Sequence, residues 1–230
     1  MSLQIKDNRH KVILNEFLAI ERIQLALLTW GRKNRKHFAW RTTDNQFHAL
    51  IAEVMLQRTQ AKQVIDVYKK FCSLYPSPFD AAADDPEKIR ELLRPLGLRW
   101  RTEKVLELIK YLSYIGNNIP HDFEQLLCLP GIGSYAASAY LSFHADVRMP
   151  IIDSNVVRLW GRVFGFETDS ETRRKKWFID IIDKITPEKD FKDFNYAILD
   201  LTLDICKTKP LHYLCPLASI CKFYEESKIT

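Results

Sequence analysis

Two acidic residues stand out for the chemistry their surroundings would allow. Glu53 lies in Ala49-Leu50-Ile51-Ala52-Glu53-Val54-Met55-Leu56, a carboxylate in the middle of an apolar run. If the run is buried, the carboxyl loses hydration, its pKa rises, and it becomes fit for general acid work near neutral pH. If the run is one side of an amphipathic helix, Glu53 simply faces water, and its position fits both equally. Asp153 precedes a segment of helical pattern that begins near Asn155. Aspartate is a favoured helix N-cap, and the helix dipole favours its charged form. Such a fixed negative charge is a plain cap in one reading. In the other it stabilises positive charge developing on a substrate, as at an oxocarbenium-like sugar.

Of only seven glycines, two stand two apart in Leu129-Pro130-Gly131-Ile132-Gly133-Ser134, between helix-like segments. Glycine allows positive φ and close backbone approach. The N–H groups of such a turn, with the following helix N-terminus, form an anion-binding concavity that a DNA phosphate would fill. An ordinary helical hairpin would need the same glycines. Five cysteines are present, and Cys206, Cys215 and Cys221 fall within sixteen residues. That clustering suggests a metal site rather than disulfides. Cys72 and Cys128 read as buried small hydrophobes.

The elements that must position these groups are helical throughout. Apolar periodicity predicts helices over 14–31, 48–75 (as one or two), 101–115, 134–144, 155–165, 173–185 and 191–206. Asp84-Asp85-Pro86-Glu87 opens a helix through Leu93, and His121-Asp122-Phe123 opens a short one to Cys128. Pro76 and Pro78 read as a stop. No alternating run supports a strand. Composition is that of a globular chain, 47% hydrophobic and 27% charged over 230 residues. The net charge of +5 permits a polyanionic partner without requiring one. No apolar run reaches the roughly 18 residues that span a bilayer, and MSLQIKDNRHK lacks the apolar stretch of a secretory signal. An intracellular protein with no membrane partner is expected.

Taken together, the segments resemble the helix-hairpin-helix (HhH-GPD) DNA glycosylases of the endonuclease III and MutY superfamily, and within it the G·T mismatch thymine-DNA glycosylases. The resemblance runs from about Leu25 to Tyr224 through FAWR, EVMLQRTQ, LGLRWRTEKVLEL, LPGIGSYAASA, IIDSNVVR, DFNYAILDLTLDIC and the cysteine tail. It implies an all-α fold of two helical lobes with the active site in the cleft between them. One domain is expected over 46–150, with six helices and the helix-hairpin-helix. The other is expected from 1–45 plus 151–230, ending in the cysteine loop.

The resemblance also implies roles. Such enzymes flip a nucleotide out of the duplex and cut its N-glycosidic bond. Asp153 matches the aspartate that acts at the sugar, and Glu53 matches the glutamate that protonates a leaving purine. Bifunctional members carry a lysine where this chain has Tyr135, and a phenol cannot form a Schiff base. A monofunctional glycosylase without strong lyase activity is expected, with Tyr135 a catalytic-site residue. Leu129, Gly131, Ile132, Gly133, Ser134 and Asn155 would contact DNA. Gln57 and Arg58 would enter the duplex beside the flipped base, where an arginine could bind a phosphate or the orphan guanine. The tail resembles the family's [4Fe-4S] loop, with His212 standing where the second cysteine belongs. A cluster held by Cys206, His212, Cys215 and Cys221, a zinc ion on the same four, or packed thiols without metal all remain open. Lys207 and Lys209 could touch phosphate in any case.

The expected substrate is double-stranded DNA with thymine or uracil opposite guanine, acted on by a monomer in base excision repair. Adenine opposite 8-oxoguanine or guanine is the alternative. MutY-type enzymes usually add a C-terminal domain, for which a chain ending at Thr230 leaves no room. A non-catalytic DNA-binding module is the reading from another class, and the presence of both Glu53 and Asp153 weighs against it.

Overall fold

Local signals start most of the helices. The computed structural model describes residues 19–97 and 99–228. Twelve helices are introduced here as α1 (19–34), α2 (Gln46–Met55), α3 (Ala61–Leu74), α4 (Pro78–Ala83), α5 (Pro86–Leu93), α6 (Arg99–Tyr114), α7 (Phe123–Leu127), α8 (Ser134–His144), α9 (Ser154–Phe164), α10 (Lys176–Ile185), α11 (Phe191–Asp204) and α12 (Lys222–Ser227). Among the described residues there is no strand. Asp85, Asp122 and Asp153 each cap a helix, accepting from the backbone N–H of Glu87, Gln125 and Val156 respectively. Each cap satisfies an amide that the first turn leaves unbonded.

The described chain forms two compact units. One runs from His37 to Met149, and the other joins the chain up to Lys36 with the chain from Pro150 onward. In the first, Phe47, Leu50, Ile51, Phe71, Leu108 and Tyr140 lie in one apolar core. In the second, Ile23, Leu27, Trp160, Phe178 and Phe194 form a separate core.

Several expectations need correction. The first unit begins at His37 rather than at residue 46. The reason is Trp40, which is buried in that unit's core, stacks on Phe38 at 4.6 Å and meets Tyr68 edge-on at 5.6 Å. Pro78 starts a helix as well as following a stop. Ser77 and Asp80 form a capping box with Pro78 in the first turn of α4, where a proline loses no hydrogen bond. The segment expected as one helix over 173–185 is a 3₁₀ turn, Thr172–Arg174, followed by an extended Lys175 and then α10. The short α12 lacked a periodic signal. Residues 14–18 of the first expected helix lie outside the described residues. Cys128 is exposed, its thiol donating to Glu124 O at 3.4 Å.

Candidate functional site

Glu53 sits on a helix with no solvent-facing side. Every residue of α2 from Phe47 to Met55 is buried, so the amphipathic alternative for Glu53 falls away. The side chain is 3% exposed, and its Oε2 is buried without a hydrogen-bond partner. Burial pushes the carboxyl up to about 8, against the opposing pull of the Arg41 guanidinium. At neutral pH the group therefore holds a proton, and an acid in an apolar wall can deliver it. Tyr68, hydrogen-bonded to Cys72 and Thr43, is near enough for Glu53 to raise its pKa, although burial is the larger cause there.

The hairpin stands on glycines of unlike character. Gly131 has φ +78°, and a Cβ there would lie 2.9 Å from the Lys104 Cβ of α6. Both the backbone conformation and the space demand glycine. Gly133 needs neither, since a Cβ would meet nothing within 4 Å. It is the N-cap of α8 and supplies no side chain to the first turn, so an anion has open access to the amides there. Leu129 and Ile132 turn their side chains into the core of this unit. Only their backbone groups can serve a ligand. Ser134 is exposed and Tyr135 half-buried.

Beyond α2 the chain makes a tight turn. Arg58 is exposed and holds a left-handed backbone, φ +55°. Gln57 Nε2 donates to Gly131 O at 2.8 Å, so this turn is tied to the hairpin. Arg101, 2% exposed, lies against the same turn. Its guanidinium donates to Met55 O at 2.9 Å, Thr59 Oγ1 at 2.6 Å, Leu96 O at 2.7 Å and Gly97 O at 3.3 Å, and also to Gln57 O.

In the other unit, Asp153 is both a cap and the head of a polar chain. Oδ1 accepts from Val156 N at 2.7 Å, and Oδ2 accepts from Asn155 Nδ2 at 3.0 Å. Asn155 is thus engaged with the aspartate. Its Oδ1 accepts from Arg158 Nη1 at 2.9 Å, while Arg158 Nη2 donates to Cys206 O at 2.8 Å. One turn on, Arg162 donates to the carbonyls of Lys207 and Thr208. Two guanidinium groups of α9 therefore hold the start of the cysteine loop.

Among the described residues, that loop does not show a four-ligand metal centre. Burial raises the Cys215 thiol to about 11, with Cys206 and Cys221 adding to the effect, so the three thiols are neighbours. The His212 ring instead stacks on Tyr224 at 4.5 Å and on Phe223 at 5.8 Å. Among the described residues, no three His, Cys, Asp or Glu side chains form a metal-binding group. The expectation of His212 as a fourth ligand finds no support in this geometry, where the described contacts of its ring are with aromatic faces.

Sequence reasoning did not single out Arg41, Arg101 or Arg158. A basic residue inside an otherwise apolar helical stripe was the available signal for Arg101. The other two had none beyond their place in the quoted motifs.

Residues 51–179 match the HhH-GPD superfamily base excision DNA repair proteins. The chain belongs to that family, and it is a DNA glycosylase. It is 36% identical to a thymine-DNA glycosylase of Aeropyrum pernix, over 89% of this chain and 95% of that one. It is 33% identical to an adenine DNA glycosylase of Buchnera aphidicola, over 88% of this chain but 58% of that protein. A solved thermostable thymine-DNA glycosylase superposes with a TM-score of 0.84 at 27% identity, covering 90% of this chain and 97% of the other. No helix among the described residues is long and apolar enough to cross a membrane.

Proposed function

We propose that this glycosylase removes thymine or uracil opposite guanine from double-stranded DNA, working as a monomer and leaving an abasic site without strand cleavage. The observation that carries the reading is the pair of unlike carboxylates on a hairpin-bearing helical fold. Asp153, held by the Val156 amide and the Asn155 side chain, supplies the negative charge that stabilises an oxocarbenium-like sugar and orients the attacking water. Glu53, protonated at neutral pH, donates a hydrogen bond or proton to the departing base. The Gly131–Ser134 hairpin grips backbone phosphate through its amides, and the Gln57–Arg58 turn enters the duplex beside the extruded nucleotide. Tyr135 stands where an amine would be needed for Schiff-base chemistry, which supports the monofunctional reading. The thymine preference draws support from the Aeropyrum relative, matched over nearly its whole length.

Labelled duplexes carrying G·T, G·U, A·G and A·8-oxoguanine, scored before and after alkali, test this. Alkali-dependent cleavage of the T or U strand is expected. Cleavage of the A strand alone overturns the substrate assignment in favour of the adenine reading. Nicking before alkali overturns the monofunctional assignment, and no product from any duplex leaves a DNA-binding module. The cysteine loop carries no step of this chemistry. Iron and sulfide analysis of the purified protein tests the [4Fe-4S] expectation: a full complement sustains it, and iron-free protein that excises at the same rate ends it.

A further inference from the structure

Arg101 is a buried cation whose hydrogen bonds are to neutral oxygens: four backbone carbonyls and one hydroxyl. Those oxygens are not scattered. Met55 O and Gln57 O close the C-terminal end of α2, and Leu96 O and Gly97 O close the turn before α6. A guanidinium is suited to both, because the unbonded carbonyls at a helix C-terminus carry partial negative charge. Immediately after the first group of oxygens comes Arg58, at φ +55°. A side-chain-bearing residue holds that conformation only where its neighbours over-determine it. Arg101 bonds the chain on either side of it, at Gln57 O and Thr59 Oγ1. Three residues on, the Cβ of Lys104 fills the space beneath Gly131. Positions three apart share one face of a helix. One face of α6 therefore carries both the turn after α2 and the hairpin, and Gln57 bridges them to each other.

We propose that Arg101 is the positioning residue of the Gln57–Arg58 turn: it fixes the left-handed backbone at Arg58 and the spacing of that turn from the hairpin, and so governs nucleotide extrusion rather than duplex affinity. The inference rests on the reading of the turn as one that enters DNA. Arg101 itself touches neither base nor sugar.

The test uses the full chain with Thr59→Val, Arg101→Lys, Arg58→Ala, and Arg58→Gly alone and with Thr59→Val. Thr59→Val deletes one acceptor of the clamp while leaving the buried cation in place, so folding is retained where Arg101→Met would endanger it. Circular dichroism and a thermal melt check this. Single-turnover excision from a G·T duplex gives the rate and the half-saturating protein concentration. 2-Aminopurine beside the mismatch reports unstacking. Thr59→Val and Arg101→Lys are expected to lower the rate and the unstacking amplitude by about 10- to 100-fold, the scale that misplacing a positioned group by about 1 Å brings. Half-saturation should move by less than about threefold, since the phosphate contacts that dominate affinity are untouched. Glycine adopts φ +55° without strain, so Thr59→Val should cost much less in the Arg58→Gly background, a non-additive cycle. Additive effects, or an affinity loss equal to the rate loss, overturn the proposal. If Arg58→Ala is impaired while Thr59→Val and Arg101→Lys match the parent protein, the proposal alone falls. If Arg58→Ala matches the parent as well, the reading of the turn falls and takes the proposal with it.

Discussion

Glu53 and Asp153 are both carboxylates, and the two units of the molecule treat them in opposite ways. Glu53 is enclosed on an all-buried helix, with one oxygen lacking any partner and its pKa pushed up to about 8. Asp153 is half-buried at a helix start, with each oxygen accepting a hydrogen bond. The first surrounding selects the neutral, proton-donating form of Glu53. The second holds the Asp153 side chain in place with a directed donor on each oxygen.

The largest test of that contrast is Asp153→Asn. It keeps a cap-forming side chain and removes the charge, so excision should fall about 1000-fold or more while duplex binding stays within a few-fold. A near-normal single-turnover rate would reduce Asp153 to a cap. Glu53→Gln should lower excision by about 100-fold. Its pH behaviour is more telling. With a folded pKa of about 8, the parent rate should decline as pH rises through 8, and that decline should vanish in the variant. Stability follows the same group. Because the folded state holds the proton more tightly than the unfolded chain, stability is lost as pH rises from about 4.5 to 8. Glu53→Gln should therefore be the more stable protein at pH 9, by roughly 2–4 kcal/mol, and denaturant melts at pH 5 and pH 9 would show it. Equal pH dependence in both proteins would mean that Glu53 is hydrated.

Asn155→Ala removes one of the two donors to Asp153 and should slow excision by about tenfold, the worth of one hydrogen bond to a charged group. A loss confined to duplex affinity would instead restore Asn155 to a DNA-contact role. The smallest effects separate the glycines. Gly131→Ala should cost about 1–3 kcal/mol from positive φ and the Lys104 clash. Gly133→Ala should change stability by less than about 0.5 kcal/mol yet weaken duplex binding, because the methyl group occupies the open approach to the α8 amides. Calorimetry and a filter-binding titration would distinguish the two.

How far the sequence could be read varies from residue to residue. The caps at Asp85, Asp122 and Asp153 were visible because a cap and the amide it satisfies lie within three residues. The start of α4 was equally local, but Pro78 signals both a stop and a start, and only the partnership of Ser77 with Asp80 resolves it. Leu129 and Ile132 read as DNA contacts from their motif, whereas their side chains are committed to the core. His212 stood at a ligand position in the linear pattern, and its stacking on Tyr224 depends on a short helix that periodicity did not reveal.

The sequence by itself determined the helical class, most of the helix starts and the family, since all of these rest on neighbours a few residues apart or on ordered motifs. Only the tertiary structure decided what each charged group became. Whether Glu53 is wet or dry depends on every side of α2 being covered. Whether Arg101 is a surface cation or a clamp depends on carbonyls as far as 46 residues away in the chain. Desolvation and long-range hydrogen bonding are properties of packing, and no local pattern of residues encodes them.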